Sequence, residues 1–149
     1  MKHRISVGAL VLRNGRLLLA RHRKPDVYDF WAPPGGGVEG PEEQTDAVIR
    51  EAFEETRIRV APKRLAYIDE LIDDSGRMVK FWYLCDYVSG EIDVGRNPAE
   101  EAITEAGWFG RGEFPKGHVF PEVLHDRFWE DLAAGAEAPV KLPLQISIF

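Results

Sequence analysis

Cysteine is almost absent from this chain, which has 149 residues and a single cysteine, Cys85. One cysteine cannot form a disulfide within the chain. Cys85 ends the run FWYLC at positions 81–85, and a free cysteine in such a strand-forming run behaves as a small buried hydrophobe. We therefore expect no catalytic role for Cys85. This use of cysteine fits a reducing compartment.

Long hydrophobic runs are also missing. The first twelve residues, MKHRISVGALVL, have the basic start and apolar run of a short signal peptide, but Arg13 cuts the run short. No run approaches the ~18 apolar residues that a membrane span needs. We therefore expect a cytoplasmic protein without a membrane partner.

The chain has no excess of positive charge, because its 19 Lys and Arg face 25 Asp and Glu and leave a net charge of -6. Nucleic acid polymers attract basic surfaces, so an acidic chain is not expected to bind them. A small phosphorylated substrate stays possible, because a bound metal can invert the local charge. The composition, 44% hydrophobic and 30% charged, is that of a globular protein, and the length suits one domain over residues 1–149.

Turn signals and residue patterns divide the chain into strands and two helices. Asn14-Gly15 between two apolar segments predicts a β-hairpin of Arg4–Leu12 and Arg16–Arg21. Residue types predict a longer pair of strands, 64–73 and 78–87, around the turn at 74–76 and short strands at 58–60 and 104–109. They also predict loops at 25–30 and 97–102 and a brief helical turn at 112–114. Apolar spacing predicts helices over about 41–56 and over 119–134.

The C-terminal tail alternates between apolar and polar residues from Pro139 onward. This alternation predicts an added edge strand. An edge strand can pair within its own chain or with another subunit. A homodimer is therefore one of the expectations.

The first predicted helix carries three glutamates on one face. Glu51, Glu54 and Glu55 are related by i, i+3 and i+4, so they fall within roughly one third of the helix circumference. Like charges this close destabilise a helix unless a cation lies between them, and a hard divalent metal ion prefers oxygen ligands. A merely solvated acidic stripe is the alternative. The apolar residues of the helix are expected on the opposite side: Ile49, Ala52 and Phe53.

The segment from Gly36 to Ile58 resembles the box of the Nudix hydrolase family, G-x5-E-x7-R-E-U-x-E-E-x-G-U, in which U is a bulky aliphatic residue. The fixed polar and glycine positions occur at the same spacing: Gly36, Glu42, Arg50, Glu51, Glu54 and Glu55. Two positions depart from the pattern, since Ala52 is smaller than the usual aliphatic residue and Arg57 replaces a glycine. That glycine would form a left-handed helix cap, so we expect Arg57 to change the exit path locally.

The resemblance implies an α/β fold, a Nudix-like α/β/α sandwich with a mixed β-sheet. It also implies metal-dependent hydrolysis of the diphosphate linkage of a small nucleotide. Mg²⁺ or Mn²⁺ would neutralise the phosphate oxygens and lower the pKa of bound water. A helix face would hold the required carboxylates rigidly.

The resemblance also implies roles for individual residues. Glu54 and Glu55 would be metal ligands, and Glu51 would be a further ligand or the general base. Arg50 would orient a carboxylate, either Glu54 or Glu42. The remaining candidates are the backbone of Gly36 and Gly37, which would approach the metal or the phosphates, and one carboxylate from a later loop, for which Glu101 is favoured over Glu100 and Glu105.

The substrate is less well defined by the sequence. The basic cluster at positions 21–24 is either a solvated strand end or a rim that holds phosphates, with Arg21 and Arg23 as candidate ligands. A nucleotide base needs an aromatic wall, and Trp31 is our candidate. Other aromatic residues could serve, and the alternative for each is core packing: Tyr28, Phe30, Trp82 and Phe120.

Residues outside the box bear on the substrate subclass. Some Nudix members carry a proline (ADP-ribose hydrolases) or a tyrosine (dinucleoside polyphosphate hydrolases) about 15 to 17 residues past the box. Here that region is Asp73-Asp74-Ser75, which weighs against both subclasses and leaves nucleoside triphosphates, oxidised nucleotides and nucleotide sugars open. Two other classes of function remain as alternatives, a nucleotide-sensing module without catalysis and an interaction protein.

Overall fold

The protein, described over residues 1–96 and 102–146 by a computed structural model, contains ten strands, two α-helices and two 3₁₀ turns within those residues. The strands are β1 (His3–Arg13), β2 (Arg16–Lys24), β3 (Tyr28–Ala32), β4 (Gly35–Gly37), β5 (Arg59–Asp73), β6 (Gly76–Ser89), β7 (Ile103–Phe109), β8 (His118–Val119), β9 (Val140–Lys141) and β10 (Gln145–Ile146). The helices are α1 (Gln44–Thr56) and α2 (Arg127–Ala133), and the 3₁₀ turns are Val94–Arg96 and Glu122–Leu124.

Both strand pairs predicted around tight turns are present. Asn14 and Gly15 have φ angles of 53° and 74°, as a two-residue hairpin turn requires, and Leu12 pairs with Leu17. Strands β5 and β6 form the second antiparallel pair, in which Asp73 lies opposite Gly76. Strand β5 begins at Arg59 and is continuous, so the short strand predicted over 58–60 is its first part.

The strands form one mixed sheet in the order β10-β5-β6-β1-β2-β3-β8, with β4 added to β1, β7 to β2 and β9 to β5. β1 and β6 are parallel, whereas β1 and β4 are antiparallel. The two faces of the sheet carry separate cores, because side chains alternate along a strand. Val7 packs with Ala52 of α1 on one face, and Leu10 packs with Phe128 of α2 on the other. The predicted α/β/α sandwich with a mixed sheet is thereby confirmed.

The predicted loop over 25–30 is wrong at its C-terminal end. Strand β2 continues to Lys24, and Tyr28–Ala32 turns back to pair with it as β3. The reason is cross-strand packing, since the rings of His22 and Phe30 lie opposite each other and stack with centroids 4.9 Å apart.

The second helix is much shorter than the predicted span of 119–134. Val119 pairs with Trp31 as part of β8, and the backbone N–H of Phe120 donates to the Trp31 carbonyl at 2.9 Å. Residues 119 and 120 make these sheet contacts instead of the helical ones that their spacing predicts, and α2 begins only at Arg127. The helical turn predicted over 112–114 is also absent, and a turn closed by the Glu113 N–H on the Gly110 carbonyl takes its place.

The buried face of helix α1 is shifted from the one predicted, of which Ala52 alone is fully buried. Ile49 is 37% exposed, whereas Val48 and Ala52 are fully buried. Glu51 and Glu55 continue that buried stripe, at 5% and 1% exposure, because residues at i, i+3, i+4 and i+7 share a face. Two of the three glutamates therefore point toward the sheet and not away from it.

The predicted edge strand of the tail pairs within the chain. β9 and β10 both run parallel to β5. The last residues of the tail, 147–149, lie outside the described residues. Among the helices described, none has the length and apolar character that would let it cross a membrane.

Candidate functional site

Strand β4 lies directly against the acidic helix, and a side chain at its central residue, Gly36, would collide with the carboxylate of Glu51. A Cβ atom on Gly36 would lie 2.5 Å from the carboxylate carbon of Glu51, which is closer than non-bonded carbon atoms approach. The absence of a side chain at Gly36 thus makes room for the Glu51 carboxylate between α1 and β4. This contact explains why the box needs glycine at this position.

The three glutamates of α1 have different environments. Glu55 is buried, and its Oε1 accepts a hydrogen bond from the backbone N–H of Gly35 at 3.0 Å. Glu51 is buried next to Gly36, whereas the Glu54 side chain is 34% exposed. Of the two carboxylates Glu51 and Glu54, one is therefore buried and the other partly exposed.

Arg50 holds several acidic groups together. Its guanidinium donates to Glu42 Oε1 at 2.7 Å, to Glu51 Oε1 at 2.9 Å and to Glu54 Oε2 at 3.3 Å. It also donates to the carbonyl of Gly37 at 3.0 Å. Both predicted partners, Glu54 and Glu42, are thus in contact with Arg50. In this structure, Arg50 is the cation that offsets the repulsion among the carboxylates.

The charges of the cluster shift one another's protonation. Arg50 is the main reason why the pKa of Glu42 lies below its usual value. Burial raises the pKa of Glu51, while Arg50 acts in the opposite direction and the neighbouring Glu54 adds to the rise. Burial therefore favours the protonated form of Glu51, whereas Arg50 favours the charged form of Glu42.

The donor atoms of the cluster are of the kind that binds a divalent metal ion, but too few of them lie together to complete a metal site. Carboxylate oxygens are the ligands that Mg²⁺ prefers, and Glu51 Oε2 is buried with no hydrogen-bond partner among the residues described. Within 1–96 and 102–146, however, no three His, Cys, Asp or Glu side chains form a group that could hold a metal ion. Arg50 occupies the space between Glu51 and Glu54. The predicted loop ligand Glu101 lies outside the described residues.

Sequence reasoning missed a polar group on the other side of β4. Lys80 of β6 and Asp69 of β5 are register partners, and Asp69 is only 2% exposed. Burial raises the pKa of Asp69 and lowers that of Lys80. The pKa of His22 falls to about 4 because of burial and, secondly, the charge of Lys80. A charged lysine and aspartate within the aromatic and aliphatic strands at 64–73 and 78–87 was the signal available in the sequence.

The basic cluster does not present a free phosphate-binding rim. The Arg21 guanidinium donates to both carboxylate oxygens of Asp29, at 2.9 and 2.8 Å, and to Glu105 at 2.8 Å. Arg23 is 52% exposed and its Nε lies 3.8 Å from Asp29. These contacts favour the alternative of a strand end tied into the sheet. Glu105, a candidate loop ligand, is one of these partners.

Trp31 does not form an exposed wall for a base. It is 8% exposed in the core, and its ring meets that of Phe109 edge-on at 5.4 Å. Core packing, the alternative for this residue, is therefore what the structure shows. Phe30 and Phe120 are only partly buried and contact each other edge-on at 5.8 Å.

The end of α1 also differs from the expectation. Arg57 has φ 66° and ψ 13°, the left-handed conformation of a glycine cap, and its N–H donates to the Phe53 carbonyl. The predicted change of exit path is therefore wrong. The cost of a side chain in this conformation is offset by contacts: Nη2 donates to the Arg96 carbonyl at 2.6 Å, and the guanidinium lies 4.9 Å above the Phe53 ring.

The geometry agrees with the family to which the sequence points. The sequence model of the NUDIX domain matches residues 2–128. The chain belongs to the Nudix family. Nudix hydrolases generally use divalent metal ions, in keeping with the oxygen donors of α1.

Individual relatives show how far the likeness extends. A MutT NUDIX hydrolase from Burkholderia pseudomallei shares the fold with a TM-score of 0.70 and 29% identity, over 80% of this chain and 92% of that one. An ADP-ribose pyrophosphatase of Methanocaldococcus jannaschii is 27% identical over 75% of this chain. A NAD-capped RNA hydrolase NudC of Chromobacterium violaceum is 36% identical over 75% of this chain. This chain spans only 64% and 40% of the length of these two curated relatives.

Proposed function

We propose that this protein is a metal-dependent pyrophosphohydrolase that cleaves the diphosphate linkage of a small nucleotide. The observation that carries the proposal is the contact between Glu51 and Gly36, in which the glycine strand β4 receives the buried carboxylate that Arg50 holds in place. A solvated acidic stripe would not bury Glu51 at 5% exposure or Glu55 at 1%. This burial argues against the interaction-protein alternative.

The residues of the cluster divide the work of such a reaction. Glu51, Glu54 and Glu55 would hold the metal, Mg²⁺ or Mn²⁺, together with Glu101. The metal would supply charge neutralisation for the diphosphate and acidify water. Arg50 fixes the positions of Glu51 and Glu54. Oε2 of Glu51, which lacks a partner among the described residues, could instead accept the proton of the attacking water, so Glu51 is either a ligand or the general base.

The substrate class is a nucleoside diphosphate linked to a second group. The curated relatives are named as an ADP-ribose pyrophosphatase, an RNA pyrophosphohydrolase and a NAD-capped RNA hydrolase, and the first two names specify hydrolysis of a pyrophosphate bond. The net charge of -6 favours a small nucleotide over a polymer. ADP-ribose, which the residues at 73–75 weigh against, returns as a candidate through the first of these relatives.

The base would stack on the partly exposed rings of Phe30 and Phe120, since Trp31 is enclosed in the core. A homodimer and a cytoplasmic location are further proposals. A monomer in sedimentation at micromolar concentration would overturn the dimer.

A substrate panel with a matched pair of variants tests the proposal. The panel contains nucleoside triphosphates, ADP-ribose, dinucleotides and nucleotide sugars, each with Mg²⁺, with Mn²⁺ and with excess chelator. We expect cleavage of at least one compound with metal only. Glu55→Gln should lower kcat by about 10²-fold or more and remain folded, because the amide oxygen can still accept the Gly35 N–H.

Glu43→Gln is the control, since Glu43 is exposed near the start of the same helix. Full activity in chelator would refute metal catalysis, and unchanged turnover in Glu55→Gln would refute the role of Glu55. Tight nucleotide binding without any turnover would favour the nucleotide-sensing module.

A further inference from the structure

Lys80 lies in a polar row on the sheet face opposite α1. Its register partners are Asp69 on β5 and Ser6 on β1, and neighbours in register point to the same face of a sheet. The next residue on that face of β6 is Trp82, and the Lys80 ammonium lies 4.5 Å from the centre of its ring. The charged end of Lys80 thus lies over an aromatic ring and also next to Gly35 of β4.

The glycine strand β4 separates Lys80 from the acidic helix. A Cβ atom on Gly35 would lie 2.9 Å from Lys80 Nζ, whereas one on Gly36 would meet the carboxylate of Glu51. Successive residues of a strand point to opposite sides. Lys80 and Glu51 therefore approach β4 from its two sides, with only glycine backbone between them.

Lys80 differs from the two arginines of this region in having no fixed anionic partner. Arg50 is occupied by the carboxylates of α1 and Glu42, and Arg21 by Asp29 and Glu105. Lys80 Nζ donates no hydrogen bond and has no carboxylate within 4 Å among residues 1–96 and 102–146, although the charges of Glu55, Glu51 and Asp69 act on it. An ammonium that donates no hydrogen bond to the described residues suits a phosphate group, which accepts such bonds.

We propose that Lys80 binds the phosphate groups of the substrate from the side of β4 opposite the acidic helix. This inference rests on the proposed function, and it moves the phosphate contact from Arg21 and Arg23 to a residue of β6. The bare backbone of Gly35 lets the ammonium come close to a diphosphate that lies over β4. Lys80 then fixes the nucleotide end of the linkage while the α1 carboxylates act on the other side.

The test compares Lys80→Met with Lys80→Arg and with Lys63→Met. Methionine keeps an unbranched side chain against Trp82 but removes the charge, and arginine keeps the charge. Lys63 is the control, because it is a lysine of β5 with a 54% exposed side chain. Thermal melting of each variant shows whether it is folded.

For the best substrate of the panel, we expect Lys80→Met to raise KM by about tenfold or more, the loss of one charged hydrogen bond. The Mg²⁺ concentration for half-maximal activity should stay within twofold. Lys80→Arg should recover most of the affinity, and Lys63→Met should equal the wild type. If Lys80 only neutralises carboxylates, Lys80→Met changes the Mg²⁺ requirement and leaves KM unaltered, and the inference is wrong.

Calorimetric titration with inorganic pyrophosphate separates this inference from the proposed function. The proposed function is wrong and the phosphate contact is supported if wild-type protein cleaves nothing in the panel but binds pyrophosphate about tenfold more tightly than Lys80→Met does. The phosphate contact alone is wrong if wild-type protein is active and Lys80→Met has the same KM and the same affinity for pyrophosphate. Wild-type protein that neither cleaves the panel nor binds pyrophosphate would overturn both.

Discussion

Replacing Gly36 with alanine pushes a methyl group into the carboxylate of Glu51. The added Cβ would lie 2.5 Å from the Glu51 carboxylate carbon, and carbon atoms pack best at about 3.5–4.0 Å. The carboxylate must therefore move by roughly 1 Å. A displacement of that size in a catalytic group costs about 10²-fold in rate, so we expect Gly36→Ala to lower kcat/KM by about 10²-fold.

The same substitution should cost little stability. Glu51 is the far end of a flexible side chain, and an off-rotamer torsion costs about 0.5–1.5 kcal/mol. Gly36 does not have a positive φ, so alanine also restricts the unfolded chain and returns about 0.4–1 kcal/mol. The net change is within about 1 kcal/mol, which corresponds to a melting shift of roughly 2–4 °C.

The two neighbouring glycines provide controls for this prediction. A Cβ on Gly35 would lie 2.4 Å from the backbone oxygen of Val7, so Gly35→Ala should disturb the sheet and lower the melting temperature strongly. A Cβ on Gly37 would meet only the Ile5 oxygen at 4.0 Å, so Gly37→Ala should lose far less activity than Gly36→Ala. Steady-state kinetics and thermal melting measure all three. Wild-type kcat/KM in Gly36→Ala would refute the reasoning, as would a loss of activity that only accompanies unfolding.

Two further predictions follow from buried groups. Burial lowers the pKa of His22 to about 4, below its value of about 6.5 in the unfolded chain; the unfolded state therefore gains the proton first, and stability is lost as the pH falls from about 6.5 to about 4. Between pH 7 and pH 4.5, the free energy of unfolding in urea should therefore fall by about 2.5 kcal/mol less in His22→Gln than in wild type. His3→Gln, at an exposed position, is the control and should behave like wild type. An equal fall in His22→Gln and wild type would contradict the prediction. Burial also raises the pKa of the Cys85 thiol to about 12. An aromatic disulfide reagent at pH 8 should therefore label Cys85 more than about 10³-fold more slowly in the native protein than in denaturant. Rapid labelling of the native protein would contradict this prediction and show that the thiol is accessible.

Local patterns in the sequence were sufficient for features whose causes are local. The hairpin at Asn14-Gly15 depends on two adjacent φ angles, and the spacing of the box depends on the period of one helix. The contacts of Arg50 with Glu42 and Glu54 also span only eight and four residues. Each of these could be predicted because the interacting groups lie within one element or next to it.

The features that could not be predicted depend on partners distant in sequence. The pattern of α1 does not reveal which face meets the sheet, because glutamates share the buried stripe with Val48 and Ala52. The basic cluster does not reveal that Arg21 is paired, because its partner Glu105 is 84 residues away in the sequence. The span predicted for the second helix failed at Val119, since its helical spacing says nothing of its pairing with Trp31.

Arg57 shows that a departure from a family pattern need not change the backbone. The helix requires a left-handed residue at its end because Ile58, the next residue, must enter the core, where it is fully buried. That demand comes from packing and acts on whatever residue occupies the position. The arginine accepts the conformation and gains contacts with Phe53 and the Arg96 carbonyl that glycine could not make. The direction of the chain after α1 is therefore set by the burial of Ile58, and the side chain at position 57 only determines how stable that turn is.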